Sequence, residues 1–109
     1  MVTDAARAFD ALGDPHRREI LRLLGEGDKP VHALADALPI SRPAVSRHLR
    51  LLRDSGLVEQ RAEGTERIYS LAGQGASAVQ AYLETVWGEA IARFRLLADN
   101  TSPAESRDR

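Results

Sequence analysis

Two short stretches of apolar residues at helical spacing, parted by a single turn, constrain this 109-residue chain more than any other feature. In Val31–Leu38 the side chains of Val31, Leu34, Ala35 and Leu38 fall on one helical face, and Pro39 ends the run. Ile40 and Ser41 make the turn. Ser41 is a good N-cap, and Pro43 in the first turn of the next helix removes no hydrogen bond that the helix needs. That second helix reaches Ser55, and Gly56 closes it. Two short helices joined by a turn of about three or four residues make a helix-turn-helix unit.

The flanking sequence extends the pattern. Upstream, Ala5, Ala8, Phe9 and Leu12 predict a helix over Asp4–Leu12, which Gly13 interrupts. Asp14-Pro15 then reads as an N-cap and first-turn proline, opening a helix to about Leu24 whose buried side is Ile20, Leu21, Leu23 and Leu24. Gly25–Pro30 reads as a loop. After Gly56 the period changes from 3.6 to 2. Leu57–Arg61 and Arg67–Leu71 are strand-like, and Glu63-Gly64-Thr65 is a hairpin turn between them. A two-stranded ribbon directly after the second helix is a wing.

Ala72–Ala76 reads as a small-residue linker, and Ser77-Ala78-Val79-Gln80 has the form of a capping box opening a helix to about Asp99. At about 1.5 Å per residue that helix is roughly 33 Å long, too long to pack only on so small a body. The fold expected is mainly α with a small β-hairpin, in the order α-α-α-α-β-β-α: a winged helix-turn-helix. One domain is expected over 1–99, with a polar, disordered tail at 100–109.

Cysteine is absent, which removes disulfides, thiolate metal sites and cysteine nucleophiles together. The sequence contains neither a long apolar run nor a basic-then-apolar leader, so a cytoplasmic chain without membrane contact is expected. The net charge of −1 argues against a polyanion partner, but the distribution does not. Residues 41–71 hold six Arg against four acids, and Ser41–Arg53 holds four Arg and no acid. The positive field is therefore concentrated on one short helix.

On that helix Val45, Leu49 and Leu52 form an apolar stripe that docks it. Arg42, Ser46, Arg50 and Arg53 form a second stripe facing elsewhere, flanked by Pro43 and Arg47. This division suits reading of the DNA major groove, which needs small residues for close approach and Arg for guanine and phosphate. Ser41, Arg42, Ala44, Ser46 and Arg47 lie on the first turns, where a recognition helix goes deepest, and Ala44 suits a thymine methyl. Arg50 and Arg53 suit the phosphate backbone. His48 lies between the stripes, and two readings stay open: a phosphate contact, or packing on the neighbouring helix. On the wing, Arg61 and Arg67 flank the tip and Thr65 sits at it. Arg67 is the leading candidate for a minor-groove or phosphate contact, with cross-strand ion pairs to Glu59, Glu63 or Glu66 as the competing reading.

At Phe9–Leu21, with Gly13-Asp14-Pro15-His16-Arg17-Arg18 within it, the sequence resembles the opening of the ArsR/SmtB-type bacterial repressors. Ile40–Leu49 and Leu52–Val58 resemble their recognition helix and the start of their wing, and Glu63–Leu71 resembles the wing hairpin. The resemblance spans about residues 5–98. It implies a homodimer joined through its terminal helices, binding a palindromic operator in double-stranded DNA and repressing transcription by blocking polymerase. The dimer interface is then expected at Phe9, Leu12, Val79, Tyr82, Leu83, Val86, Trp87, Ala90, Ile91, Phe94 and Leu97. Trp87 and Phe94 are read as dimer core, with an effector pocket as the competing role.

The family's best-known members release DNA on binding metal. Here the helix Ala33–Leu38 carries no thiolate pair, and Val79–Asp99 offers only Glu84, Glu89 and Asp99, without histidine. His16, His32 and His48 are spread over three predicted helices. No metal site and no cofactor is expected, the likeness is to metal-independent members, and the sequence names no effector. An enzyme is disfavoured because Ser46 and His48, two apart on one helix, point in different directions. A winged helix used only for protein–protein contact is the remaining alternative, distinguished by DNA affinity that ignores salt.

Overall fold

The computed structural model describes residues 4–100. Residues 101–109 of the expected tail lie outside the described residues, as do the side chains of Asp4, Ile91 and Asn100. In chain order the elements are α1 (Asp4–Leu12), α2 (Pro15–Glu26), β1 (Lys29–Pro30), α3 (Val31–Ala37), α4 (Arg42–Asp54), β2 (Val58–Glu63), β3 (Glu66–Leu71) and α5 (Gln74–Asn100). The chain is mostly helical with a small antiparallel sheet, as the periodicity predicts.

The sheet has one strand more than expected. Within the predicted loop, β1 pairs antiparallel with β3, Lys29 opposite Tyr69 and Pro30 opposite Ile68, giving the strand order β1-β3-β2. A two-residue strand has no period to read, and proline is tolerated there because β1 is an edge. The hairpin is tighter than expected: Glu63 pairs with Glu66, leaving Gly64-Thr65 as the turn, with Gly64 at φ +62°.

The long helix also starts earlier than its apparent capping box. Ser77 donates its backbone N–H to the Gly73 carbonyl at 2.8 Å, so Ser77 already lies inside the helix and caps nothing. Packing sets this start. Gly75 is buried and donates to the Gly56 carbonyl at 2.8 Å, and a Cβ at Gly75 would collide with the carbonyl oxygen of Ser55.

Residues up to 79 form one compact unit and those from 80 a second. The core of the first unit gathers Ala8 and Ala11 from α1, Ile20 and Leu24 from α2, and Leu34 from α3. Val45, Leu49 and Leu52 of α4 join them, with Leu57 and Val58 at the base of the hairpin. Ile20, Leu34, Val45, Leu49 and Leu52 are fully buried, each contributing about 1.5–3 kcal/mol of transfer free energy. In the second unit, the part of α5 from Gln80 onward, Val86, Trp87, Phe94 and Leu96 are exposed. Among the described residues no helix is long and apolar enough to cross a membrane.

Candidate nucleic-acid interface

The position of α4 follows from its two ends and its buried stripe. At its start the Ser41 hydroxyl accepts from the Ala44 N–H at 3.2 Å, satisfying one of the orphan donors of the first turn. At its end Ser55 donates from Oγ to the Leu52 carbonyl at 2.9 Å, and Gly56 takes φ +76° to turn the chain toward β2. Val45, Leu49 and Leu52 point into the core, so Ser41, Arg42, Pro43, Ser46, Arg47, Arg50 and Arg53 are left exposed, with Ala44 half-buried among them.

The hairpin stands beside this face. Arg42 and Ser46 of α4 share a cleft of about 330 Å³ with Thr65, Glu66, Arg67 and Tyr69 of the hairpin region, so the start of α4 and the wing line one surface. Across it His32 Nε2 lies 3.0 Å from Glu66 Oε2. In the orientation that satisfies both of its ends, the Gln60 amide donates to Tyr69 Oη at 3.0 Å and accepts from Arg67 Nη1 at 3.2 Å and Arg53 Nη2 at 3.3 Å. Gln60 thus ties Arg53 to the wing, and Arg67 meets an amide.

Arg61 is committed elsewhere. Its Nη1 donates to Asp28 Oδ2 at 2.8 Å and its Nε to Glu63 Oε2 at 3.0 Å, and these two carboxylates raise its pKa further above the ordinary arginine value. Neither partner makes a cross-strand pair of the kind expected on the wing: Glu63 lies on the same strand as Arg61, and Asp28 lies outside the hairpin. Both partners are exposed, so the pairing is weak and screened by salt.

His48 turns away from the cationic stripe. It is half-buried, and the Arg17 guanidinium donates from Nη1 to His48 Nδ1 at 3.2 Å. Arg17 also donates from Nε to the Ala11 carbonyl at 2.7 Å and from Nη2 to the Asp10 carbonyl at 3.2 Å, closing the end of α1. One side chain of α2 thereby braces both α1 and α4. Burial pulls the His48 pKa down, with Asp14 opposing and Arg17, His16 and Arg47 adding to the fall. Burial pushes the Asp14 carboxyl up, but the N–H groups of Arg17 and His16 that it caps, at 3.2 and 2.8 Å, and the neighbouring cations leave it lowered. The three histidines, expected apart, are not all apart: the His16 and His48 rings lie 5.8 Å from each other.

Of the residues expected at a dimer interface, Leu12 and Val79 pack against the core, Leu83 is half-buried and Ala90 is exposed. Phe9 and Tyr82 are 38% and 47% exposed, whereas Phe94 reaches 72% and Leu97 59%. The side chain of Ile91 lies outside the described residues.

Residues 14–60, from the cap of α2 into β2, match the model of the bacterial regulatory proteins of the arsR family. The HTH-type transcriptional regulator Rv2034 of Mycobacterium tuberculosis is 42% identical over 94 residues, covering 86% of this chain and 88% of that protein. The chain belongs to the arsR family.

Solved members of that family share its architecture. The crystal structure of a possible transcriptional regulator for arsenical resistance has a TM-score of 0.69 at 37% identity, covering 90% of this chain and 97% of the other. The homodimeric winged helix-turn-helix domain Mb0332 (fragment 1–100) of Mycobacterium bovis has a TM-score of 0.64 at 34% identity, covering 83% of each chain. This arsR-family chain is a transcriptional regulator with a winged helix-turn-helix DNA-binding domain, and its relatives are DNA-binding regulators, not enzymes.

Proposed function

We propose that the protein is a cytoplasmic, homodimeric repressor that reads a short inverted repeat in double-stranded DNA, its own promoter included, and is not controlled through a cysteine-ligated metal. One observation carries this reading: Arg42 and Ser46, on the exposed cationic face of α4 that also carries Arg47 and Arg50, share one cleft with the wing residues Thr65 and Arg67. Ser41, Arg42, Ala44, Ser46 and Arg47 reach base edges, while Arg50, Arg53 and Arg67 hold phosphates. His48 and Arg61 position elements and contribute little contact.

Dimerisation supplies the second half-site. The exposed Val86, Trp87 and Phe94 of α5 form an apolar surface that a second copy of the helix covers. The Mycobacterium bovis neighbour is a homodimer, and relatives such as SdpR of Bacillus subtilis, 38% identical over 63 residues, are named repressors. Two-fold symmetry then requires half-sites roughly 34 Å apart or a close multiple. The chain contains no cysteine, so a thiolate metal switch has no ligands.

The test is titration of the protein onto DNA from upstream of its own gene, at two salt concentrations, with a scrambled control. Affinity that falls steeply with log salt and favours the promoter supports the reading. Weak binding that ignores salt replaces it with a protein–protein module.

A further inference from the structure

Asp14, His16 and His48 meet where the start of α2 faces the packed side of α4, away from the cationic stripe. A carboxylate oxygen of Asp14 and one ring nitrogen from each histidine all lie within 4.8 Å of one another. The two rings are tilted by 45° at 5.8 Å, and His16 Nδ1 stands 3.9 Å from Asp14 Oδ1. All three side chains are half-buried, enough to hold their positions and still reachable from solvent.

We propose that Asp14, His16 and His48 form a binding site for a divalent metal ion of the Zn²⁺, Ni²⁺ or Co²⁺ type, joining α2 to α4. The donor chemistry selects the ion. Two imidazole nitrogens and one carboxylate oxygen suit borderline cations, whereas Mg²⁺ and Ca²⁺ prefer shells of oxygen. Three protein ligands leave a fourth position for water. Metal–nitrogen bonds of about 2.0–2.1 Å require the ligand atoms to draw closer together than they stand now, which small side-chain rotations of half-exposed groups supply.

Two features set its strength. Asp14 caps α2 through Oδ1, and its negative charge offsets the positive end of the helix dipole, which would otherwise disfavour a cation here. Arg17 competes for His48, because a neutral imidazole has one accepting nitrogen and Arg17 already donates to it. Binding therefore requires Arg17 Nη1 to give up His48, while the bonds of Nε and Nη2 to the Ala11 and Asp10 carbonyls can persist and keep the guanidinium partnered. The site is therefore one of modest affinity that fills and empties, and filling it exchanges a guanidinium brace on α4 for a metal one. Metal binding at this site depends neither on dimerisation nor on operator binding.

The experiment uses the full chain freed of metal by a chelator, titrated with Zn²⁺ by calorimetry and with Co²⁺ by visible absorption, which reports coordination directly. One ion per chain is expected. His16→Ala and His48→Ala should each weaken binding by about tenfold or more, and His32→Ala, which removes a ring paired with Glu66, should leave it unchanged. Asp14→Asn keeps a capping residue and removes the carboxylate, so it should weaken binding in a chain that still folds. The proposal is overturned by absence of saturable binding, by equal affinity in Asp14→Asn and His16→Ala and the parent, or by Mg²⁺ binding as tightly as Zn²⁺.

Discussion

Arg61 on β2 donates to the carboxylate of Asp28, which precedes β1, at 2.8 Å. This contact turns the arginine nearest the hairpin's start away from service as a free cation. Arg61→Ala should therefore leave the slope of log affinity against log salt unchanged, while Arg50→Ala lowers it by about one unit. Equal loss of slope in both variants would place Arg61 on the DNA backbone after all.

Arg47 is exposed on the second turn of α4, where base edges are in reach. Arg47→Ala is expected to weaken binding to a cognate palindrome by about 1–3 kcal/mol and to relax preference at one position of each half-site. Unchanged affinity and unchanged preference, measured by titration against a set of single-base operator variants, remove Arg47 from base reading.

Gly75→Ala should destabilise the fold by about 1–3 kcal/mol, because the new Cβ meets the Ser55 carbonyl, which is backbone and cannot swing aside. Gly73→Ala is the comparison, since a Cβ there meets open space. Thermal melts should separate the two; coincident midpoints would show that α5 starts elsewhere.

His48 gives a pH dependence whose sign is fixed by its environment. Its folded-state pKa is lowered from 6.5, chiefly by burial, so in the window just below that value the unfolded chain binds more protons than the folded one. The His48 contribution is fully present above 6.5 and is lost as pH falls through the folded value. Urea midpoints measured in chelator should drop across that interval, and His48→Gln should flatten the profile. A profile that keeps its slope in His48→Gln assigns the titration to another group.

Trp87→Asp combined with Phe94→Asp should convert a dimer to particles of 11.9 kDa while leaving the helical content of the first unit intact. Sedimentation gives the mass and circular dichroism the helicity. A double variant that still sediments as a dimer would move the interface off this face of α5.

The readable parts of the fold were those with a period or a cap. Val45, Leu49 and Leu52 announced the buried side of α4, and the Asp14 and Ser41 caps stand where side-chain chemistry demands. What could not be read is what sequence-distant residues do to one another. Nothing near Arg61 advertises Asp28, nothing near His16 advertises His48, and the two residues of β1 are a strand only because β3 lies beside them. Ser77 has the same cause: its local capping signal is outweighed by the fit of Gly75 under Ser55.

The three-stranded sheet also carries protection against its own kind. On one side it ends in a two-residue strand whose second residue, Pro30, has no N–H to offer a passing chain. On the other, β2 lines the border with exposed Glu59, Arg61 and Glu63, whose charges make an incoming strand costly to desolvate. A protein that displays a hairpin beside a polyanion at high local concentration risks stitching itself into larger aggregates strand by strand. Both borders of this sheet are closed to such growth, so the wing can stand exposed without becoming a template.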